Sequence, residues 1–352
     1  MDSFDVVVVG ASAVGGVAAR EIAGRDLSVA LVEEHTKPGK FGKCTAIVSA
    51  SGLKETGVRF QDSVLNEVKG ALIASGNTEL ELRSPDTKAF VLDRQAFDEQ
   101  SVEQAVSAGA QLFLNSRLKQ VRIVNGLFES KAGKNYFESR FLVGADGAAS
   151  TVAREFGFPS FKRVVVGWQT EVSGKVPYPD LAEVFLEPEF KGFFGWRVPL
   201  SGNRARIGFC VSKKGDFASA KRKLFKLTGA SAIGSNEFTH VIPVSVRAST
   251  SKNNVFLVGD AAGQVKATTG GGIVFGSRCA RVLADCLVSG SDYDTAWRSK
   301  YGDGLKFHGL VRKAYDVLPS GGAALALKAF NSFGKGFLLD FADMDDLVKV
   351  KR

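Results

Sequence analysis

An α/β fold built on a parallel sheet is predicted by three passages in which a β-branched or apolar run enters a glycine-rich turn. The first is Asp5-Val6-Val7-Val8-Val9, followed by Gly10-Ala11-Ser12-Ala13-Val14-Gly15-Gly16. The second is Phe141-Leu142-Val143, ending in Gly144-Ala145-Asp146-Gly147. The third is Asn254-Val255-Phe256-Leu257-Val258, ending in Gly259-Asp260-Ala261-Ala262-Gly263. Short uninterrupted apolar runs of this kind are typical of strands covered on both faces.

The first passage continues as a helix over Val17 to Ala23 and a second strand, Ser28 to Val32, closed by Glu33. This is a βαβ unit ending in an acid, the arrangement that binds dinucleotides. Each position has a physical task. Gly10 permits the tight turn, and a small residue at Ser12 and then Ala13 lets the backbone approach a pyrophosphate. Gly15 lets helix and strand pack closely, and the helix N-terminus faces the phosphates. Glu33 is placed to accept hydrogen bonds from a ribose diol. Ser12 stands where a second glycine is usual, and its side chain is small enough to hinder the approach only slightly.

Length and composition bound the rest. The 352 residues suffice for one large domain or two interleaved ones. Hydrophobic residues at 45% and charged residues at 24% exclude a largely disordered chain. The net charge of +9 fits an anionic membrane surface, an anionic substrate or cofactor, or a scattered basic surface. No lysine–arginine block or nucleic-acid module accompanies it, so no nucleic-acid partner is expected. Cys44, Cys210, Cys279 and Cys286 form no C-x-x-C pair, and His35, His240 and His308 stand at no ligand spacing from them, so no metal site is expected. Sparse cysteines suit a reducing compartment. The amino terminus lacks the marks of a signal peptide, and the run Val6 to Ala19 is shorter than the roughly 18 residues a membrane span needs. The expectation is a cytoplasmic protein, either free or at the inner face of the membrane.

The three motifs together resemble those of FAD-dependent oxidoreductases related to p-hydroxybenzoate hydroxylase, with a glutathione-reductase-like Rossmann FAD domain. The resemblance implies FAD as cofactor. Asp146 and Gly147 then belong to the cofactor-binding set, and Asp260 holds the ribityl and pyrophosphate end. Gly271, Gly272 and Ile273 lie under the isoalloxazine, where the N-terminus of the helix from Ile273 to about Val288 favours the anionic reduced flavin.

Within that group, Gly259-Asp260-Ala261-Ala262-Gly263-Gln264-Val265-Lys266-Ala267-Thr268-Thr269-Gly270-Gly271-Gly272-Ile273 is similar to the geranylgeranyl reductase family. So are Asp93-Arg94-Gln95-Ala96-Phe97-Asp98, Phe194-Gly195-Trp196-Arg197-Val198-Pro199, and Cys44 after Gly39-Lys40-Phe41-Gly42-Lys43. Val198 and Leu200 depart from the family pattern, as do Thr45 and Ala46. The resemblance implies saturation of carbon–carbon double bonds in isoprenoid chains of lipids or quinones by hydride from flavin N5. Arg94 and Cys44 fall near the flavin, and Phe194, Trp196 and Pro199 fall in the substrate pocket. An isolated alkene accepts hydride poorly, so an acid must protonate the partner carbon. Cys44 is the candidate for that acid, beside its reading as a packing residue. A flavin monooxygenase or halogenase shares the FAD motifs, but usually carries a histidine after G-D-A-A and a proline before the glycines. A flavoprotein without turnover is a third reading. A ferredoxin, a reduced flavin or NAD(P)H all remain open as electron donor.

The FAD domain is expected to be discontinuous, over 1–54, 88–158 and 246–290. The inserts 55–87 and 159–245 are expected to form a substrate domain with an antiparallel sheet, and 291–352 a helical segment broken at Pro319-Ser320-Gly321-Gly322. In that segment Ala324 to Phe341, with Lys328 and Lys335, reads as a packed terminal helix or a membrane-surface contact.

Overall fold

The computed structural model describes residues 1–333, apart from 41, 43, 213–214, 230, 233–236 and 320, together with Asp345. Five strands pair in parallel, in the order Val255–Leu257, Asn135–Gly144, Asp2–Val9, Val29–Val32 and Gln111–Phe113. An antiparallel meander, Leu118–Val124 and Leu127–Ala132, runs off Asn135–Gly144. Val6, Val7 and Val8 are fully buried, as a two-sided parallel sheet requires.

Three helices cover one face: Ala13–Ala23, Arg94–Ser107 and Ile273–Ser289. The first begins at Ala13, four residues before the sequence reading placed it. Its small residues set the packing. A Cβ at Gly15 would lie 1.8 Å from the Gly10 carbonyl oxygen, and one at Gly16 would lie 2.4 Å from Ser101 Oγ. Ser101 Oγ donates to the Ala13 carbonyl at 2.9 Å, joining the first two helices directly.

The second large sheet takes Gly70–Ser75 and Thr78–Arg83 from the first insert. From the second it takes Val164–Ser173, Leu181–Phe185, Gly195–Ser201, Arg204–Ser212 and the edge strands Ser231–Ala232 and Phe238–Pro243. It is antiparallel except where Leu181–Phe185 runs parallel to Gly70–Ser75, because that pair joins strands from two separate inserts. Helix Phe217–Thr228 covers its outer face, its Ala220 and Leu224 sharing a cluster with Trp168, Phe190 and Phe209. Its inner face carries Val165, Ala182, Trp196, Val198, Cys210 and Ile242. A small three-stranded sheet, Ile47–Ser49, Val64–Val68 and Ala89–Leu92, stands at the junction with the nucleotide-binding part.

After Asp292, helices Tyr293–Trp297, Asp303–Asp316 and Gly322–Phe333 follow, the last packed on Gly70–Ser75 and Thr78–Arg83. Lys335 and the end of the 324–341 stretch lie outside the described residues.

Candidate active site

A cavity of about 480 Å³ runs from the first glycine loop to the inner face of the inserted sheet. Ser12, Ala13, Cys44, Arg94, Gly147, Asp260, Gly271, Gly272 and Ile273 line one part of it. Phe194 and Trp196 line the other, with Val198, Cys210, His240 and Ile242. Pro199, expected in the substrate pocket, does not line it. Side chains alternate along a strand, so Trp196 and Val198 face inward while Pro199 turns away.

Two glycines make the room. A Cβ at Gly208 would lie 2.4 Å from the Trp196 indole, and one at Gly167 would lie 2.9 Å from the His240 ring. The Trp196 and His240 rings therefore occupy the places that side chains at positions 208 and 167 would take. Trp196 Nε1 is buried and has no hydrogen-bond partner among the described residues.

The glycine loop follows from strain and close approach. Gly10 has φ +101°, and a Cβ there would meet the Ala145 carbonyl oxygen at 2.6 Å. Glu33 accepts the Ala11 N–H at 2.9 Å and the His35 N–H at 3.0 Å, and bonds His35 Nδ1 at 2.6 Å, so it braces the loop from behind. Asp146 accepts the N–H groups of Thr151 and Val152 at 2.7 and 3.1 Å, while its Oδ1 is buried with no partner. Burial raises the Asp146 pKa.

Asp98 belongs to the quoted Asp93–Asp98 segment but was not singled out there. It accepts the Ala13 N–H at 3.0 Å and the Arg94 Nη2 at 2.9 Å, tying the loop to Arg94. Burial works against the Arg94 charge, but Asp98 and then Cys44 outweigh it and raise its pKa. Arg94 thus sits between Asp98, Cys44 and Asp260, which feels its charge.

The Cys44 segment is held from the inserted sheet. Thr45 Oγ1 donates to Gln169 Oε1 at 2.6 Å, and Gln169 Nε2 donates to the Cys44 carbonyl at 3.3 Å. Arg206 donates to the Thr45 and Leu92 carbonyls at 2.9 and 3.0 Å. Ala46 takes φ +58°, a left-handed conformation costly for alanine, and its N–H donates to Cys44 Sγ at 3.2 Å. The only sequence signal for Gln169 and Arg206 was a polar residue within an otherwise apolar strand.

The late loop is locked in the same manner. Gln264 is fully buried; its Oε1 accepts the Gly259 N–H at 2.8 Å and its Nε2 donates to Tyr293 Oη at 2.9 Å. Arg312 donates to the Ala267 and Thr268 carbonyls at 3.0 and 2.9 Å, with its guanidinium 4.4 Å from the centre of the Phe193 ring. Lys266 pairs with Asp345, which also accepts from Ser49 Oγ. Burial alone would raise the Asp345 pKa, but the Lys266 charge and these hydrogen bonds hold it below the usual value.

Three features fit FAD. Asp260 is half-buried with no hydrogen bond to its carboxylate among the described residues, and burial raises its pKa against the pull of Arg94. It is an acceptor waiting for donors such as ribityl hydroxyls. A Cβ at Gly272 would lie 2.4 Å from Asp260 Oδ1, so the approach needs glycine. Helices Ala13–Ala23 and Ile273–Ser289 both begin without a side-chain cap, leaving N–H groups at the cavity for phosphate and for a flavin carbonyl.

The family described as FAD binding domain matches residues 3–289. The chain is 30% identical to digeranylgeranylglycerophospholipid reductase 2 of Methanopyrus kandleri, covering 86% of this chain and 84% of that protein. It is 29% identical to digeranylgeranylglycerophospholipid reductase 2 of Methanothermobacter thermautotrophicus, covering 90% and 88%. A geranylgeranyl bacteriochlorophyll reductase-like protein from Thermoplasma acidophilum has the same fold, with a TM-score of 0.83 and 22% identity over 95% of this chain and 92% of that one.

Proposed function

The chain belongs to the geranylgeranyl reductase family of FAD-dependent oxidoreductases, and from that premise we propose that it saturates carbon–carbon double bonds in the isoprenoid chains of lipids or quinones. The observation that carries this reading is the single cavity that joins the cofactor-binding loops to an apolar wall of Phe194, Trp196, Val198 and Ile242.

When bound and reduced, FAD supplies a hydride. The protein's own residues supply the rest. Asp260, Gly147 and the Ser12–Ala13 turn hold the cofactor. The uncapped start of helix Ile273–Ser289 presents positive N–H groups at the cavity. Phe194, Trp196 and Val198 hold the chain and exclude water, so a carbocation-like centre is not captured by it. Cys44 donates the proton to the second alkene carbon. Cys210 also lines the cavity, but burial raises its thiol pKa and it retains its proton. Cys44 is half-buried and adjoins Arg94 beside the cofactor-binding loops.

The partner surface belongs to the C-terminal helices. Leu310, Val317, Leu318, Leu325 and Phe330 are exposed there, interleaved with Lys306, Lys313 and Lys328. An apolar face rimmed by lysines suits the surface of an anionic membrane. No described helix is long and apolar enough to cross one.

The test is anaerobic. The FAD-loaded protein is reduced with dithionite, a geranylgeranyl lipid is added, and flavin absorbance and lipid mass are followed. Reoxidation with a gain of hydrogen pairs is expected. Cys44→Ala should retain FAD and slow the reaction about a hundredfold. A flavin that stays reduced until oxygen enters would overturn the reading, and an unchanged rate in Cys44→Ala would remove the cysteine from it.

A further inference from the structure

Among the described residues, four buried lysine and arginine side chains pair with carboxylates: Arg197 with Glu183, Arg206 with Glu171, Lys266 with Asp345 and Arg278 with Glu55. Two others, Arg247 and Arg312, are buried without an ion pair, and both hold carbonyls of the late loop instead. Arg247 donates to the Ala261 carbonyl at 2.7 Å and to that of Pro159 at 2.6 Å. Arg312 is 4% exposed and holds the Ala267 and Thr268 carbonyls, directly before Thr269, Gly270, Gly271 and Gly272 line the cavity.

Arg312 stands where helix Asp303–Asp316 meets both halves of the site. Its guanidinium lies over Phe193, and that ring stacks on Phe194 at 4.3 Å in the cavity wall. A Cβ at Gly270 would touch the same Phe193 ring at 3.4 Å, so ring and loop are in contact. From the same helix, His308 Nδ1 bonds Thr268 Oγ1 at 2.7 Å and fixes the loop a second time. Asp316, one turn on, attracts the Arg312 charge, but its carboxylate bonds Arg163, whose own charge opposes that of Arg312. An arginine keeps its proton even when buried. The loop is therefore backed by a fixed, desolvated positive charge with no carboxylate bonded to it. Such a charge is costly unless something compensates it, and its field reaches beyond contact distance in a low-dielectric interior. The negative charge that the chemistry creates beside this loop is that of the anionic reduced flavin.

We propose that Arg312 is a positioning residue whose buried charge, held against the flavin loop, favours the anionic reduced state of the cofactor. It acts through the loop and not by contact with the alkene. The flavin becomes easier to reduce, so a donor of moderate strength suffices to load it. This goes beyond the isoprenoid-reductase reading, since it concerns the cofactor whichever alkene is reduced.

The experiment is the midpoint potential of bound FAD, measured against a reference dye in wild-type protein, Arg312→Lys and Arg312→Gln, each first checked for FAD content and melting temperature. Arg312→Gln keeps a donor for a loop carbonyl and removes the charge. Its potential should fall by about 30 mV or more, the shift equivalent to a tenfold change in the ratio of reduced to oxidised cofactor for a two-electron couple. Arg312→Lys keeps the charge and should stay close to wild type. A merely structural role would lower the melting temperatures without separating the two variants in potential. An unchanged potential in Arg312→Gln, or equal falls in both variants, overturns the proposal. If Arg312→Gln does not retain FAD, Asp316→Asn decides. Removing the carboxylate that opposes Arg312 should raise the potential, and an unchanged or lower value overturns the proposal. No alkene enters these measurements, so a failure of the isoprenoid-reductase reading shows separately, in lipid turnover.

Discussion

Asp260 carries a half-buried carboxylate that accepts no hydrogen bond among the described residues, in a loop where the Gln264 side chain and the Ala267 and Thr268 carbonyls are engaged. Hydrogen bonds to a charged group contribute about 1.5–3 kcal/mol each. Asp260→Ala should therefore weaken FAD about tenfold or more, read by flavin fluorescence after dialysis, with the melting temperature of the apoprotein barely changed. An apoprotein that unfolds instead would make Asp260 a structural residue. That Asp260 and Gly272 meet at the cavity was legible in the sequence because both lie in one short motif. Gln169 and Arg206 were not, because their partner, the Cys44 segment, lies more than a hundred residues away. Pro199 was misplaced because a strand motif names its residues but not which of its two faces turns inward.

At the scale of elements, the joints between the late strands and the C-terminal helices carry a pH signature. Asp294 accepts the Thr250 N–H at 2.9 Å and Thr250 Oγ1 at 2.7 Å, and Trp297 Nε1 donates to the same Thr250 Oγ1 at 2.9 Å. Burial alone would raise the Asp294 pKa, but the Thr250 hydrogen bonds and the Arg298 charge outweigh it and the net shift is downward. The folded state thus favours the carboxylate. The resulting stability is fully present above the group's ordinary value of 3.8 and is lost as pH falls through the lower folded-state pKa. Asp294→Asn should cost about 1–2 kcal/mol near neutrality, a gap that holds at pH 5 and narrows only below 3.8. Denaturant midpoints across that range decide it, and a gap that is constant at all pH would assign the loss to packing. The parallel strands and glycine turns of the nucleotide-binding part were readable from period and composition. The parallel pairing of Leu181–Phe185 with Gly70–Ser75 was not, since it joins inserts separated by a whole run of the other sheet.

At the scale of the molecule, the exposed apolar face and the cavity lie on connected elements. Helix Gly322–Phe333 packs on Gly70–Ser75 and Thr78–Arg83, and Asn331 donates to the Glu79 carbonyl at 2.7 Å. Those strands supply Gly70, Ala71 and Leu82 to the cavity wall. A long prenyl lipid is costly to hold in water, at about 0.8 kcal/mol for each exposed methylene. Docking of the C-terminal helices on a bilayer, as proposed above, would let a chain pass from one apolar phase to another without full exposure. Val317 and Leu325 are 80% and 71% exposed and touch little within the fold, so replacing both with glutamate should leave folding and FAD content intact. The pair of substitutions should abolish flotation with anionic vesicles and slow turnover on vesicle-embedded lipid, while turnover on the same lipid in detergent is preserved. Equal losses in vesicles and in detergent would place these residues in the folded core of the reaction and leave the membrane surface without a role.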